Sequence, residues 1–169
     1  MEQTFSRRGF LKGAAAAVLA VSAMGLTGCV GEDSPTTAVM LGDYKVDVDV
    51  RKSTRRSDTR NNKTTGILLP VVYITNQTGS VMELKLTASV FKAAASDGTE
   101  LKFDSALQPL TLVQKVPASV TPSFSTTDEK VYQKLSSGEL SLKLSITLSG
   151  QTAVYTMNFG NLTQTVEKI

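Results

Sequence analysis

The chain has 169 residues and a formal net charge of +3, with one cysteine, no tryptophan and no histidine. Without an imidazole there is no Ser-His-Asp triad, no His-ligated metal and no simple switch near neutral pH. The positive balance sits at the N-terminus: three of the 18 basic residues and one of the 15 acidic ones precede position 29, so it gives no argument for nucleic acid.

Residues 1–12 carry Arg7, Arg8 and Lys12 against Glu2, and residues 13–26 follow as an uncharged, alanine-rich run. A bilayer-spanning helix needs about 20 apolar residues, so this run fits the core of a removable signal peptide instead. Ser6-Arg7-Arg8-Gly9-Phe10-Leu11-Lys12 resembles the twin-arginine export signal, and Leu26-Thr27-Gly28-Cys29 resembles the bacterial lipobox. The resemblance implies export through Arg7 and Arg8, cleavage before Cys29, and diacylglyceryl attachment to its sulfur. A lone cysteine in an exported chain has no disulfide partner of its own, and lipidation accounts for it. Each buried methylene adds about 0.8 kcal/mol, so two acyl chains hold a protein at a membrane where one does not. The expected organisation is a signal peptide at 1–28, a lipidated cysteine and tether at 29–43, and a folded domain at 44–169. Its expected location is the extracytoplasmic face of the cell membrane.

Beyond the tether, hydrophobic residues alternate with polar ones, the period of a half-buried strand. Tyr44, Val46, Val48 and Val50 share one face, with Lys45, Asp47, Asp49 and Arg51 on the other. Residues 66–75 (GILLPVVYIT) are nearly all apolar, and Pro70 marks an edge or a bulge because proline donates no ladder hydrogen bond. Asn76-Gln77-Thr78-Gly79-Ser80 reads as a turn into a strand with Met82, Leu84, Leu86, Ala88 and Val90 on one face. Asp97-Gly98 bends the chain toward a strand at 99–104, and 107–113 reads as another. Thr126 and Glu129 have capping-box spacing, Val131 and Leu135 lie four apart, and Gly138 can end the turn, which predicts a short helix near 128–135. Leu140, Leu142, Leu144, Ile146 and Leu148 line a further strand. A hairpin turn at Ser149-Gly150-Gln151 leads to Ala153, Tyr155, Met157 and Phe159. About seven strands of this kind, with turn-rich joints, predict an all-β fold, an antiparallel β-sandwich. The expected core is Val46, Val48, Val50, Val72, Ile74, Leu84, Leu86, Leu142, Leu144, Ile146, Tyr155 and Met157.

VVYITNQTGSVMEL at 71–84 and VFKAAASDGTEL at 90–101 are similar to immunoglobulin-like domains of unknown function on Gram-positive lipoproteins. Those domains resemble in fold the small secreted immunoprotective antigen of mycobacteria. The matching positions are Val72, Ile74, Asn76, Asp97 and Gly98. The resemblance implies an immunoglobulin-like sandwich and carries no activity.

Ser89-Val90-Phe91-Lys92 matches the Ser-x-x-Lys text of penicillin-recognising enzymes, but on a period-2 strand Ser89 and Lys92 point to opposite faces, and the companion motifs are absent. Asp43, Asp47 and Asp49 are interleaved with Lys45 and Arg51 and lack the loop of a calcium site, so they read as a solvated face; no metal and no cofactor is expected. The sequons at Asn62, Asn76 and Asn161 read as loop ends. Residues 51–63 (RKSTRRSDTRNNK) stand apart, with Arg51, Lys52, Arg55, Arg56, Arg60 and Lys63 against Asp58. They read as a solvated loop between the first two strands that offers an anion-binding patch for lipid headgroups, wall polymer or an acidic envelope protein. The absence of interleaved aromatics argues against single-stranded nucleic acid. The reading that follows is a non-enzymatic binding or interaction module at the cell envelope, held to the membrane through lipid on Cys29. An enzyme such as an envelope hydrolase with a His-free site, and a scaffold for an envelope complex, are the alternatives.

Overall fold

The alternation closes into antiparallel ladders across residues 37–169, which a computed structural model describes; Arg7, Arg8 and Cys29 lie outside the described residues. In chain order the elements are β1 (Val39–Leu41), β2 (Tyr44–Arg60), β3 (Lys63–Asn76), β4 (Met82–Leu84), β5 (Phe91–Ala95), β6 (Glu100–Phe103), β7 (Leu110–Leu112), β8 (Pro117–Val120), β9 (Phe124–Thr126), α1 (Glu129–Ser137), β10 (Leu142–Leu148), β11 (Gln151–Asn158) and β12 (Thr163–Lys168). The main sheet runs β1-β2-β3-β9-β6-β5-β10-β11-β12, with β8 beside β9 along β3, and β4 pairs with β7 apart from it. The first strand therefore falls inside the segment read as tether.

The fold is all-β with one short helix, as expected, but the seven-strand sandwich is not what forms. A single curled sheet carries the core, and its two ends meet. The seam is made by side chains rather than by a ladder. Gln164 on β12 accepts from Val50 N at 2.8 Å and donates to Val48 O, both on β2. Lys168 Nζ donates to Met40 O of β1 at 2.9 Å. From inside, the Tyr155 hydroxyl of β11 donates to Val46 O at 2.8 Å. Burial, with the charge of Asp47, pushes this phenol well above its ordinary pKa, so it remains a donor. The sheet thus nearly closes into a barrel, the arrangement that removes exposed strand edges.

Pro70 shapes the longest hairpin. The β2–β3 ladder pairs Asp49 with Val71 and then Thr54 with Leu69, so four residues of β2 face one residue of β3, Pro70. Proline has no N–H to give there, and the extra chain bulges out. Ser53 mends the gap: its hydroxyl accepts from Val71 N at 2.9 Å and donates to Asp49 O at 2.6 Å. Asp49 Oδ1 accepts from Arg51 N and Lys52 N at 3.0 and 3.2 Å. Beyond the bulge the ladder resumes to Arg60 opposite Lys63, closed by Asn61 and Asn62 at φ 51° and 59°, the positive values a two-residue hairpin turn needs. The basic segment 51–63 is therefore strand and bulge, not a loop. Its polar residues are carried into the sheet by pairing with the apolar β3.

Other departures have local causes. The strand read at 82–90 stops at Leu84, because Thr87 O accepts from Val90 N and Phe91 N and turns the chain. The segment 107–113 contributes only Leu110–Leu112. β8, β9 and β12 are too short or too polar to have shown a period. The helix starts one residue later than expected and its cap is Asp128, which accepts from Lys130 N and Val131 N, while Thr126 accepts from Asp128 N. Gly138 ends it at φ 83°, as anticipated. α1 buries Val131, Tyr132 and Leu135. A Cβ on Gly66 would lie within 2.6 Å of three Tyr132 atoms, so β3 needs glycine where the helix packs on it.

The core is that of the sequence reading with one exception: Leu84 is only partly buried. Tyr155, Phe91, Phe124 and Phe159 are its largest fully buried side chains, and Phe103 stacks on Phe91 and meets Phe124 edge-on. Leu144, fully buried, supplies the first test. Leu144→Ala is expected to cost about 2–5 kcal/mol in chemical denaturation. Gln164→Ala leaves Val48 O and Val50 N without their partner and is expected to cost about 1–3 kcal/mol. Gln164→Glu keeps the acceptor but sets a carboxylate against Val48 O, so it is expected to be no better than alanine.

Candidate functional site

Two polar surfaces stand out, and the sequence reading picked the residues of one. Its six cations are all exposed, but the strand pairing separates them. Residues directly opposite in an antiparallel ladder share a face. Arg56 lies opposite Ile67 and Arg60 opposite Lys63, which puts these three cations on the outer face. Arg55 lies opposite Leu68 on the inner face, its guanidinium carbon 5.8 Å from the centre of the Phe159 ring. Arg51 and Lys52 lie in the bulge. Lys52 is already engaged: its ammonium is 3.4 Å from Asp49, donates to the Tyr73 hydroxyl at 3.0 Å, and sits 5.3 Å from that ring centre. The hydrogen bond to Tyr73 raises its pKa first, with Asp49 adding to the effect. Arg60 pairs with Asp58 at 3.0 Å. Arg51, Arg55, Arg56 and Lys63 have no ion-pair partner among the described residues.

The second surface was missed. The outer face of β5, β10, β11 and β12 holds a groove of about 770 Å³ that extends onto β6. Register builds it in rows. Glu100, Ala94, Lys143, Thr156 and Thr165 stand side by side across five strands, and Lys92, Ser145, Val154 and Glu167 form the next row. Alternation forces these residues outward, since Ala93, Leu144, Tyr155 and their neighbours face the core. The floor is therefore small or hydroxylic, and the long charged side chains of Lys92, Lys143, Glu100 and Glu167 stand around it. None of the four takes part in an ion pair among the described residues. Two ammonium groups, two carboxylates and three hydroxyls can bind a chain or polymer bearing charges and hydrogen-bonding groups of both kinds. No local motif marks them, because they come from five strands up to 75 residues apart; only the register brings them together.

The other residues singled out from sequence have plainer roles. Ser89 lies in the turn before β5, not on a strand, and its hydroxyl shares a 2.7 Å hydrogen bond with Thr87. Asp47 accepts from the Thr37 hydroxyl and Val48 N, both at 2.9 Å, and Asp49 caps the bulge. Among the described residues no three Cys, Asp or Glu side chains gather as metal ligands, and no helix is long and apolar enough to cross a membrane. Asn76 is fully buried, with Oδ1 accepting from Thr78 N and Oγ1 at 2.8 Å each, so its sequon is structural.

Outside the groove, Asp104 follows β6 and ties it to β9. Lys102 Nζ lies 2.8 Å from Asp104 Oδ1, and Ser125 donates to Oδ2. Desolvation opposes the charge, but Lys102 and Ser125 outweigh it and hold the carboxyl below its usual range.

No family model matches the chain, and no curated protein matches it in sequence. Among solved structures it is similar to YcdA of Bacillus subtilis, described as a candidate lipoprotein, at 13% identity and a TM-score of 0.44. The match covers 80% of this chain and 39% of that one, so the chain spans well under half the length of the protein it matches.

A lowered folded-state pKa for Asp104 contributes stability above the ordinary carboxylate range, and that contribution is lost as pH falls through the folded value. Asp104→Asn is therefore expected to melt slightly below the parent at neutral pH, by less than about 1 kcal/mol for so exposed a pair. Thermal melts of the two proteins are expected to converge at acid pH.

Proposed function

We propose that this is an exported lipoprotein, held on the extracytoplasmic face of the cell membrane by diacylglyceryl on Cys29, whose β-domain is a non-catalytic binding module. Export follows the twin-arginine route through Arg7 and Arg8. The observation that carries the binding role is the groove on β5, β10, β11 and β12. It is wide and open, its charged side chains are not neutralised by one another, and its floor rests on fully buried residues of the core. A rigid sheet face that presents charge and hydroxyls in fixed rows suits recognition of a polar envelope component. The small floor residues leave room for an extended chain to lie across the strands.

The test takes the intact lipoprotein in its own envelope. A photo-crosslinking residue at Thr156, on the groove floor, is expected to give adducts that the same residue at Ser80 does not. Lys92→Ala with Lys143→Ala is expected to remove those adducts without changing the melting temperature. Cys29→Ala is expected to release the protein from the membrane or to stall its processing. Retention of the unlipidated variant, or identical adducts from both positions, would sink the respective half of the reading.

A further inference from the structure

We infer that the cationic end of the β2–β3 hairpin docks on the anionic headgroups of the bilayer that carries the Cys29 anchor; the inference rests on the lipidation proposed above. Its first support is where the chain enters the domain. β1 runs antiparallel to β2, with Val39 opposite Val46 and Leu41 opposite Tyr44, so its N-terminal end is the one nearer the bulge. Thr37 is pinned at that place: its hydroxyl donates to Asp47 Oδ1 and accepts from Gln164, the residue that also holds Val48 and Val50. Seven residues lie between Cys29 and Thr37, eight Cα-to-Cα steps with a reach of at most about 29 Å. A domain of this size is about 36 Å across. The tether is thus shorter than the domain is wide, and the side that meets the membrane is the side where the chain enters. That side carries Arg51 and the hairpin.

The second support is charge. Past Gly66, the last β3 residue paired to β9, the hairpin projects as a two-stranded arm with no neighbour in the sheet. Asp58 is the one acid between residues 51 and 63, and Arg60 neutralises it. Arg51, Arg55, Arg56 and Lys63 remain for an external anion. Clustered cations beside a bilayer are attracted to acidic lipid, and they add to an acyl anchor without replacing it.

The third support is apolar. Leu162, in the turn between β11 and β12, is 43% exposed and held at φ 56°. Its turn is bracketed by Phe159, beneath Arg55, and by Gln164, bonded to Val50. An exposed leucine therefore stands beside the cations at the same end of the domain, where a headgroup layer can receive both.

Wall polymer and acidic proteins share the charge, but the short tether and Leu162 favour the lipid surface. The test uses the lipoprotein extracted from its membrane and reconstituted into vesicles of phosphatidylcholine with or without phosphatidylglycerol. A fluorophore is placed at Thr59→Cys on the arm or at Ser80→Cys. Ser80 lies at the opposite end, in the turn tied to Asp43 through Gln77 N. With a quencher on the lipid headgroups and phosphatidylglycerol present, the Thr59 position is expected to be quenched several-fold more than Ser80. The difference is expected to collapse without phosphatidylglycerol, at high salt, and in the Arg55→Ser, Arg56→Ser, Arg60→Ser variant. Protein that does not float with the vesicles removes the anchor and the docking with it. Protein that floats but is quenched equally at both positions overturns the docking alone. A Thr59 signal that answers to purified wall polymer or to an acidic envelope protein instead gives the hairpin to that partner.

Discussion

At the seam between the two ends of the sheet, one primary amide bonds a backbone donor and a backbone acceptor at once. Gln164 offers one carbonyl and one amino group, the same acceptor and donor that a peptide unit presents, and sets them against Val50 N and Val48 O. It acts as a residue of a ladder that the backbone does not form. β1 is too short to cover this stretch of β2, and β12 turns its edge toward it. Without the amide, two buried or half-buried backbone groups would lose their partner and the curled sheet would have an open flank. Tyr155 makes the complementary bond from the core side, one pair earlier along β2. The barrel-like curvature, the position of Thr37 and the burial of the Tyr155 hydroxyl all follow from this closure.

The same closure distributes the polar surface. Alternation sends every second residue of β10, β11 and β12 outward, and because the sheet has wrapped round, these residues form a face of their own. The hairpin belongs to the opposite half of the sheet, where β2 and β3 outrun their neighbours. The domain therefore carries two chemically different polar regions: a mixed-charge groove supported from beneath by core, and a cationic arm supported by little but its own ladder. Rigidity differs between them for that reason. The groove is a preformed surface, while the arm is free to bend.

Much of this was legible in the residues. The strand character, nearly all the core positions, Pro70 as a point of irregularity, the turns at Asp97-Gly98 and Ser149-Gly150, and the helix near 128–135 each had a local cause. What was not legible depended on partners. Residues 51–63 have no hydrophobic period, and they enter the sheet only because β3 is apolar on both faces and needs a neighbour. β8 and β9 are four and three residues long, below the length at which alternation can be recognised. The sandwich expectation failed at this step, since it counted strands without knowing that the first and last would meet. For the sites, charge density along the chain drew attention to the hairpin. The groove has no density along the chain. Lys92, Glu100, Lys143 and Glu167 look like ordinary solvent-facing members of four strands until the register aligns them.

The bulge opposite Pro70 adds three residues to β2, an odd number, and so reverses which parity points inward. Before it Val46, Val48 and Val50 face the core; after it Arg55, Ser57 and Thr59 lie on the inner side. The faces of the tip are nevertheless set by β3, whose alternation runs unbroken from Gly66 to Asn76 and whose partners fix each residue of β2 beyond the bulge. A residue added to the bulge would enlarge it and leave Arg56, Arg60 and Lys63 on the outer face. The bulge therefore acts as a slack loop: it takes up changes in the length of β2 before they reach the arm.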